Sequence, residues 1–152
     1  MINYIIGDAT EPITKGPNVI MHINNNVGAW GGGFVLAVSD KWPEPEQQYR
    51  ELNEFGYELG DVQLVPVALD TYVANMVAQD EFPTNTKPIA VDYIALRDCL
   101  MNLAATVPAN STFHAPRIGC GIGGGSWDEV EPIIEEELQG FDVYIYDLQE
   151  RV

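Results

Sequence analysis

The sequence predicts a three-layer α/β/α domain built on a mixed sheet, and three observations lead there. Apolar, β-prone runs alternate with stretches of helical period along nearly the whole chain. Two of these runs, Val19 to Ile23 and Thr112 to Ile118, pass directly into glycine-rich loops and then into helical stretches. Another two β-rich runs are joined by a tight polar turn, which makes a hairpin and so a sheet of mixed direction.

In chain order, Asn3 to Ile6 reads as the first strand and ends at Gly7-Asp8. Val19 to Asn24 is almost continuously apolar, as a parallel strand covered on both faces must be. Gly33 to Lys41 is a short helix that stops before Pro43, and Pro45 to Phe55 is another, with Gly56 as its C-cap. Asp61 to Leu69 and Tyr72 to Gln79 form the hairpin. Val91 to Ala105 has the clearest helical signal, with Tyr93, Leu96, Leu100 and Leu103 on one face. Thr112 to Ile118 is the strand entering the second glycine loop. Ser126 opens a helix running to about Leu138, with Glu129 completing a capping box, and Val143 to Leu148 is a last strand. No repeat, low-complexity tract or linker divides the chain, so its 152 residues are expected to form one domain. That length is enough to bury roughly 70% of the unfolded surface.

Charge narrows the function. There are 23 acidic and 7 basic residues, a net charge of −16. Such a surface repels nucleic acid and anionic lipid, so neither is an expected partner. No tract is long and apolar enough to cross a membrane, and the start lacks the basic and apolar regions of a secretory signal. Cys99 and Cys120 form neither a metal spacing nor a disulfide framework. A cytoplasmic monomer without metal or cofactor is the expectation.

The first loop follows His22-Ile23-Asn24-Asn25-Asn26-Val27-Gly28-Ala29-Trp30 with Gly31-Gly32-Gly33; the second reads Gly119-Cys120-Gly121-Ile122-Gly123-Gly124-Gly125. A strand, then glycines, then a helix turns unpaired backbone N–H groups and a positive dipole end toward an anion. Glycine lets that backbone approach the ligand closely. Neither loop holds a lysine and only Arg117 flanks the second, so a bound phosphate would rest mainly on neutral N–H dipoles. Two such loops suit a ligand with extended phosphate and sugar groups.

Gly119 to Gly124 formally matches G-x-G-x-x-G, with Asp147 further on, which keeps a nicotinamide-dinucleotide enzyme as a third option. Against it, that turn belongs in an early β-α-β unit, and here only one strand follows. The phosphate-loop pattern G-x-x-x-x-G-K-[ST] and the G-x-S-x-G of α/β-hydrolases are both absent.

Gly7-Asp8-Ala9-Thr10, the run His22 to Gly33, and Ile118 to Trp127, in this β/α order, resemble the macro domain family, which binds ADP-ribose. The likeness spans essentially the whole chain. The run Gly28-Ala29-Trp30-Gly31-Gly32-Gly33, with Trp42-Pro43 and Tyr49, resembles the yeast-type ADP-ribose-1''-phosphate phosphatase. Pro116-Arg117-Ile118-Gly119-Cys120-Gly121 resembles the terminal ADP-ribose glycohydrolase. The resemblance implies a small-molecule ligand, ADP-ribose or a derivative, with Asp8 at the adenine amino group alongside Gly7 and Ala9. It also implies Asn25 near the distal ribose, and Gly31, Gly32 and Gly33 with Gly119, Cys120, Gly121, Ile122, Gly123, Gly124 and Gly125 around the diphosphate. Trp30 either covers the distal ribose or anchors its loop. Asp8 and Asn25 also suit simple turn or cap roles.

The glycohydrolase's lysine has no counterpart in Ala74 to Gln79, Lys87 lies too late, and its partner aspartate corresponds to Gly123. An aspartate used by another branch is replaced by Phe34-Val35. The phosphatase-like activity needs none of these groups. His22, ending its strand at the ligand edge, and Asn25 are the catalytic candidates, with His22 otherwise a core residue. Cys120 is either a stabilised thiolate or a small packing residue; His114 is structural. Hydrolysis of the terminal phosphate of ADP-ribose 1''-phosphate is thus the expected activity, with a non-catalytic ADP-ribose reader as the alternative.

Overall fold

The computed structural model describes residues 1–149. Strand β1 (Ile2–Ile6) is followed by β2 (Asn18–Asn25), α1 (Phe34–Lys41) and α2 (Glu44–Asn53). The hairpin β3 (Val62–Ala68) and β4 (Thr71–Gln79) leads to α3 (Tyr93–Thr106), β5 (Thr112–Ala115), α4 (Trp127–Glu137) and β6 (Asp142–Asp147). The six strands form one sheet in the order β1-β6-β5-β2-β4-β3. All neighbours are parallel except β3 and β4. The expected mixed sheet is therefore present, its one antiparallel pair being the hairpin.

Alternation along β2 divides the two core layers, because successive side chains of a strand point to opposite faces. Val19 and Met21 join Leu96, Leu100 and Leu103 of α3 and Val130, Ile133 and Ile134 of α4. Ile20 joins Val35 and Val38 of α1 and Tyr49 of α2 on the other face. Helices cover both faces, giving three layers.

Several element ends differ from the sequence reading. β5 stops at Ala115 instead of Ile118, since Pro116 has no N–H to donate and the chain turns there into the loop. Helix α3 begins at Tyr93, because Asp92 is the true N-cap and accepts a bond from Ala95 N at 2.9 Å. Val91 instead bridges to Gln79 in the sheet. Ser126 precedes α4 as expected, but its hydroxyl makes no capping bond, so the capping box is absent. Its N–H donates to the Tyr93 hydroxyl at 3.1 Å, which couples the second loop to α3.

His114 is structural, as expected, and organises the segment between β1 and β2. Its Nδ1 lies 2.7 Å from the Tyr146 hydroxyl, and its Nε2 lies 2.8 Å from Thr112 Oγ1 and 3.1 Å from Asn18 Oδ1. Tyr146 in turn accepts from Ile13 N. Burial lowers the pKa of His114 from 6.5 to about 4. The folded protein therefore favours the neutral ring, a stabilisation present above pH 6.5 and lost as pH falls toward 4. His22 behaves the same way. Acid denaturation is expected to take up about two protons through these rings between pH 6.5 and 4. Replacing His114 by Gln should cut proton uptake by about one, measured from the pH dependence of the urea midpoint; unchanged uptake would remove His114 from the acid response.

Candidate active site

Strands β2 and β5 are parallel neighbours, so the loops that follow them leave the same edge of the sheet. They enclose a cleft of about 280 Å³, the lower end of the size range for ligand sites. His22, Asn25, Gly31, Gly32, Gly33, Gly119, Gly121, Ile122 and Gly123 line it, together with Asn24, Gln79, Phe82 and Arg117. Gly7, Asp8, Ala9, Trp30, Cys120, Gly124 and Gly125 do not.

The feature that defines this cleft chemically is its surplus of backbone donors. In the second loop Cys120 N, Gly124 N and Gly125 N bond to Arg117, Gly121 and Gly119 carbonyls. The N–H groups of Gly121, Ile122 and Gly123 have no acceptor among the described residues, and neither do those of Gly31, Gly32 and Gly33. Helix α1 adds its N-terminus at Phe34, with no acidic residue in the first turn. Helix α4 carries Asp128 and Glu129 in its first turn, so its end is the less hospitable to an anion. Among the described residues, Arg117 is the one Lys or Arg side chain that lines the cleft, and no carboxylate does.

The glycines divide by what a side chain would meet. A Cβ on Gly124, at φ +73°, would lie 2.4 Å from the Pro88 carbonyl oxygen, and one on Gly125 2.6 Å from that of Gly119. These two are required by packing beneath the loop. Gly31 and Gly121 face open space. Gly33, at φ 76°, is the N-cap of α1, where glycine alone adopts the turn cheaply.

His22 lines the cleft and is 2% exposed. Its Nε2 lies 2.6 Å from Asn75 Oδ1. Asn75 Nδ2 donates to Pro45 O at 3.0 Å and to Gln63 Oε1 at 3.2 Å, which fixes Oδ1 as the atom facing His22. Nε2 is thus the protonated nitrogen, and Nδ1 is a lone-pair acceptor with no partner among the described residues. Burial depresses the His22 pKa to about 4, opposed by the bond to Asn75, so at neutral pH the ring is an uncharged acceptor.

Asn25 lines the cleft, and its side chain also holds the first loop. Its Oδ1 accepts from Val27 N, Ala29 N and the Tyr49 hydroxyl, and its Nδ2 donates to Ala29 O. Its Oδ1 and one of its two Nδ2 hydrogens thus shape the first loop. Trp30 is 5% exposed, donates from Nε1 to Ser39 Oγ at 2.6 Å and meets the His22 ring edge-on at 5.4 Å. It anchors the loop in the core, and its ring does not cover the cleft. Burial raises the Cys120 thiol pKa, with Arg117 opposing it more weakly, so Cys120 packs as a thiol and offers no thiolate. Asp8 caps its own turn, Oδ1 accepting from Thr10 N at 2.8 Å and the Thr10 hydroxyl at 2.7 Å, while Oδ2 makes no bond among the described residues. Gly7 N donates to Asp147 O, and Asp147 grips Arg117 through both carboxylate oxygens. Asp8 therefore follows β1 at the same sheet edge as both loops.

Lys87 pairs with Asp80 at 3.0 Å and does not line the cleft, in keeping with its late position in the chain. No group of three or more His, Cys, Asp or Glu side chains suited to a metal occurs among the described residues. No helix among them is long and apolar enough to cross a membrane. Asn24 and Asn75 were missed by sequence reasoning; strand alternation from His22 marks Asn24, but only the β2–β4 register brings Asn75 to the histidine.

No protein-family model matches the chain. A curated relative, an ADP-ribose 1''-phosphate phosphatase of Lodderomyces elongisporus, is 25% identical over 158 residues, covering 96% of this chain and 99% of that protein. A DNA ADP-ribosyl glycohydrolase of Thermus aquaticus is 26% identical over 160 residues, covering 97% of this chain and 41% of that protein. The solved structure of a macrodomain protein from Streptomyces coelicolor is 40% identical, with a TM-score of 0.82, covering 97% of this chain and 99% of that one. At that identity over the full fold, with both glycine loops opening on one cleft, the chain belongs to the macrodomain family.

Proposed function

We propose that this protein binds ADP-ribose in the cleft between the glycine loops and hydrolyses the terminal phosphate of ADP-ribose 1''-phosphate. One observation supports the reading: six backbone N–H groups without acceptors among the described residues belong to the two loops that line a cleft, and no described carboxylate lines it. They suit a diphosphate flanked by sugars, held by neutral dipoles in a strongly acidic protein. The full-length likeness to an ADP-ribose 1''-phosphate phosphatase supports the substrate. The DNA ADP-ribosyl glycohydrolase shares the fold, but a net charge of −16 opposes a DNA-linked substrate. The protein acts as a monomer in a reducing cytoplasm, without metal or cofactor.

Water attacks phosphorus, its proton passes to Nδ1 of His22, and the ribose 1''-oxygen leaves with a proton from solvent. Preorganised N–H groups stabilise the charge that develops on the phosphoryl oxygens. Calorimetric titration is expected to give a micromolar Kd for ADP-ribose, about −8 kcal/mol. Binding should weaken little between low and physiological salt, because the donors are neutral. Phosphate should be released slowly from ADP-ribose 1''-phosphate; tight ADP-ribose binding without release would instead establish a non-catalytic reader.

The free Oδ2 of Asp8 would accept the adenine 6-amino group. A charge-assisted bond of that kind contributes roughly 1.5–3 kcal/mol. Asp8→Ala is expected to weaken ADP-ribose by about 10- to 100-fold, and exchanging adenine for hypoxanthine should cost wild type a similar factor. Equal affinity of wild type for both bases would reduce Asp8 to a turn cap.

A further inference from the structure

Five buried side-chain atoms lack a hydrogen-bond partner among the described residues, and three of them belong to His22 and Asn24. Asn24 is 2% exposed, lines the cleft, and has neither its Oδ1 nor its Nδ2 bonded. The other asparagines of β2 and of the turn after it are provided for: Asn18 in the His114 network, Asn25 in its loop, and Asn26 against Asp80 and Glu81. A buried carboxamide left without partners costs about 1–3 kcal/mol per group, so a fold that tolerates one in a cleft wall has placed it for a ligand. Strand alternation puts Asn24 on the same face as His22, about 6–7 Å further along.

The donor and acceptor inventory says which ligand group fits. Nδ1 of His22 and Oδ1 of Asn24 are acceptors, and Nδ2 of Asn24 is a donor. A phosphoryl oxygen satisfies only the donor, because it has no hydrogen to give. A water molecule satisfies both acceptors, one through each hydrogen, and leaves a lone pair free. The set therefore suits a water lying beside a phosphate.

We propose that Asn24 is a catalytic residue that, with Nδ1 of His22, holds the attacking water while its Nδ2 donates to a phosphoryl oxygen. The proposal rests on the phosphatase reading above. The water oxygen forms the new bond to phosphorus as the bond to the ribose 1''-oxygen breaks. The hydrogen held by Nδ1 is the one transferred, and His22 later returns it to solvent. Asn24 keeps its amide hydrogens throughout and orients the water through the second hydrogen.

Asn24→Leu tests this with a side chain of similar size and no polar atom. Its kcat for phosphate release from ADP-ribose 1''-phosphate is expected to fall about 100-fold. The calorimetric Kd for ADP-ribose, which lacks the terminal phosphate, should move by less than about threefold, and Tm should equal or exceed that of wild type, since an unsatisfied group is removed. Asn24→Ser, which keeps a hydroxyl, should recover part of the rate and serves if the leucine variant folds poorly. The double variant His22→Ala/Asn24→Leu should be about as slow as the slower single one, because both residues hold one water. Wild-type kcat in Asn24→Leu, a parallel loss of ADP-ribose affinity, or multiplying effects in the double variant would each overturn the proposal while leaving the phosphatase reading intact. Wild-type protein that binds ADP-ribose but releases no phosphate would overturn both.

Discussion

Gly121→Glu is expected to weaken ADP-ribose binding by at least about 100-fold, roughly 2.7 kcal/mol, while leaving the protein folded. A Cβ at this position meets nothing within 4 Å, so the substitution adds no clash. Its carboxylate would stand among the unpaired N–H groups of Gly121, Ile122 and Gly123, taking the place of the diphosphate and repelling it. Calorimetry gives the affinity, and a thermal melt within a few degrees of wild type establishes that the fold survives. Undiminished affinity would remove the second loop from phosphate binding. Gly124 is the wrong position for this experiment, although it belongs to the same run. Its Cβ would lie 2.4 Å from Pro88 O at a left-handed φ, so any substitution there distorts the loop before a ligand arrives.

His22→Ala should lower phosphate release by about 10²–10⁴-fold and keep ADP-ribose binding within a few-fold of wild type. The rate effect follows from Nδ1, the unpartnered lone-pair acceptor of a residue that lines the cleft; the binding survives because the phosphate donors are backbone groups elsewhere. A base works in its unprotonated form. With a pKa near 4, His22 is ready at neutral pH, and kcat/KM should fall as pH drops toward 4. That limb should vanish in His22→Ala. Full activity in the variant would take histidine out of the mechanism. Asn75 is a positioning residue in this scheme: removing its Oδ1 would release the Nε2 proton and free the ring to change tautomer.

Much of this molecule was legible in local pattern. The apolar run of β2, the hairpin between Val62 and Gln79 and the leucines of α3 follow from side-chain period alone, because burial on one or two faces leaves a direct imprint. The glycine loops were visible for a similar reason: a strand followed by glycines and a helix is a local chemical statement. What local pattern did not resolve was the hydrogen-bonding part of each side chain within those loops. Asn24, Asn25 and Asn26 are indistinguishable in sequence. One proves to be an unpartnered group in the cleft wall, the next a loop clamp, and the third a tie to Asp80. Trp30 offered the same ambiguity, resolved by Ser39, His22 and Tyr49, all brought to it by folding. Ser126 had the right spacing for a capping box, yet a tyrosine 33 positions earlier reached its N–H.

By itself the sequence determined the layers, the mixed sheet and the two loops with their anion-binding character, since periodicity and glycine chemistry act over a few residues. Only the tertiary structure decided which donors remain free, which tautomer His22 holds and which asparagine is left for a ligand. Those depend on which partner reaches each polar atom first: Asn75 comes to His22 from 53 residues away through the register of β2 on β4. A hydrogen bond is won by geometry across the fold, and no window of sequence contains both of its ends.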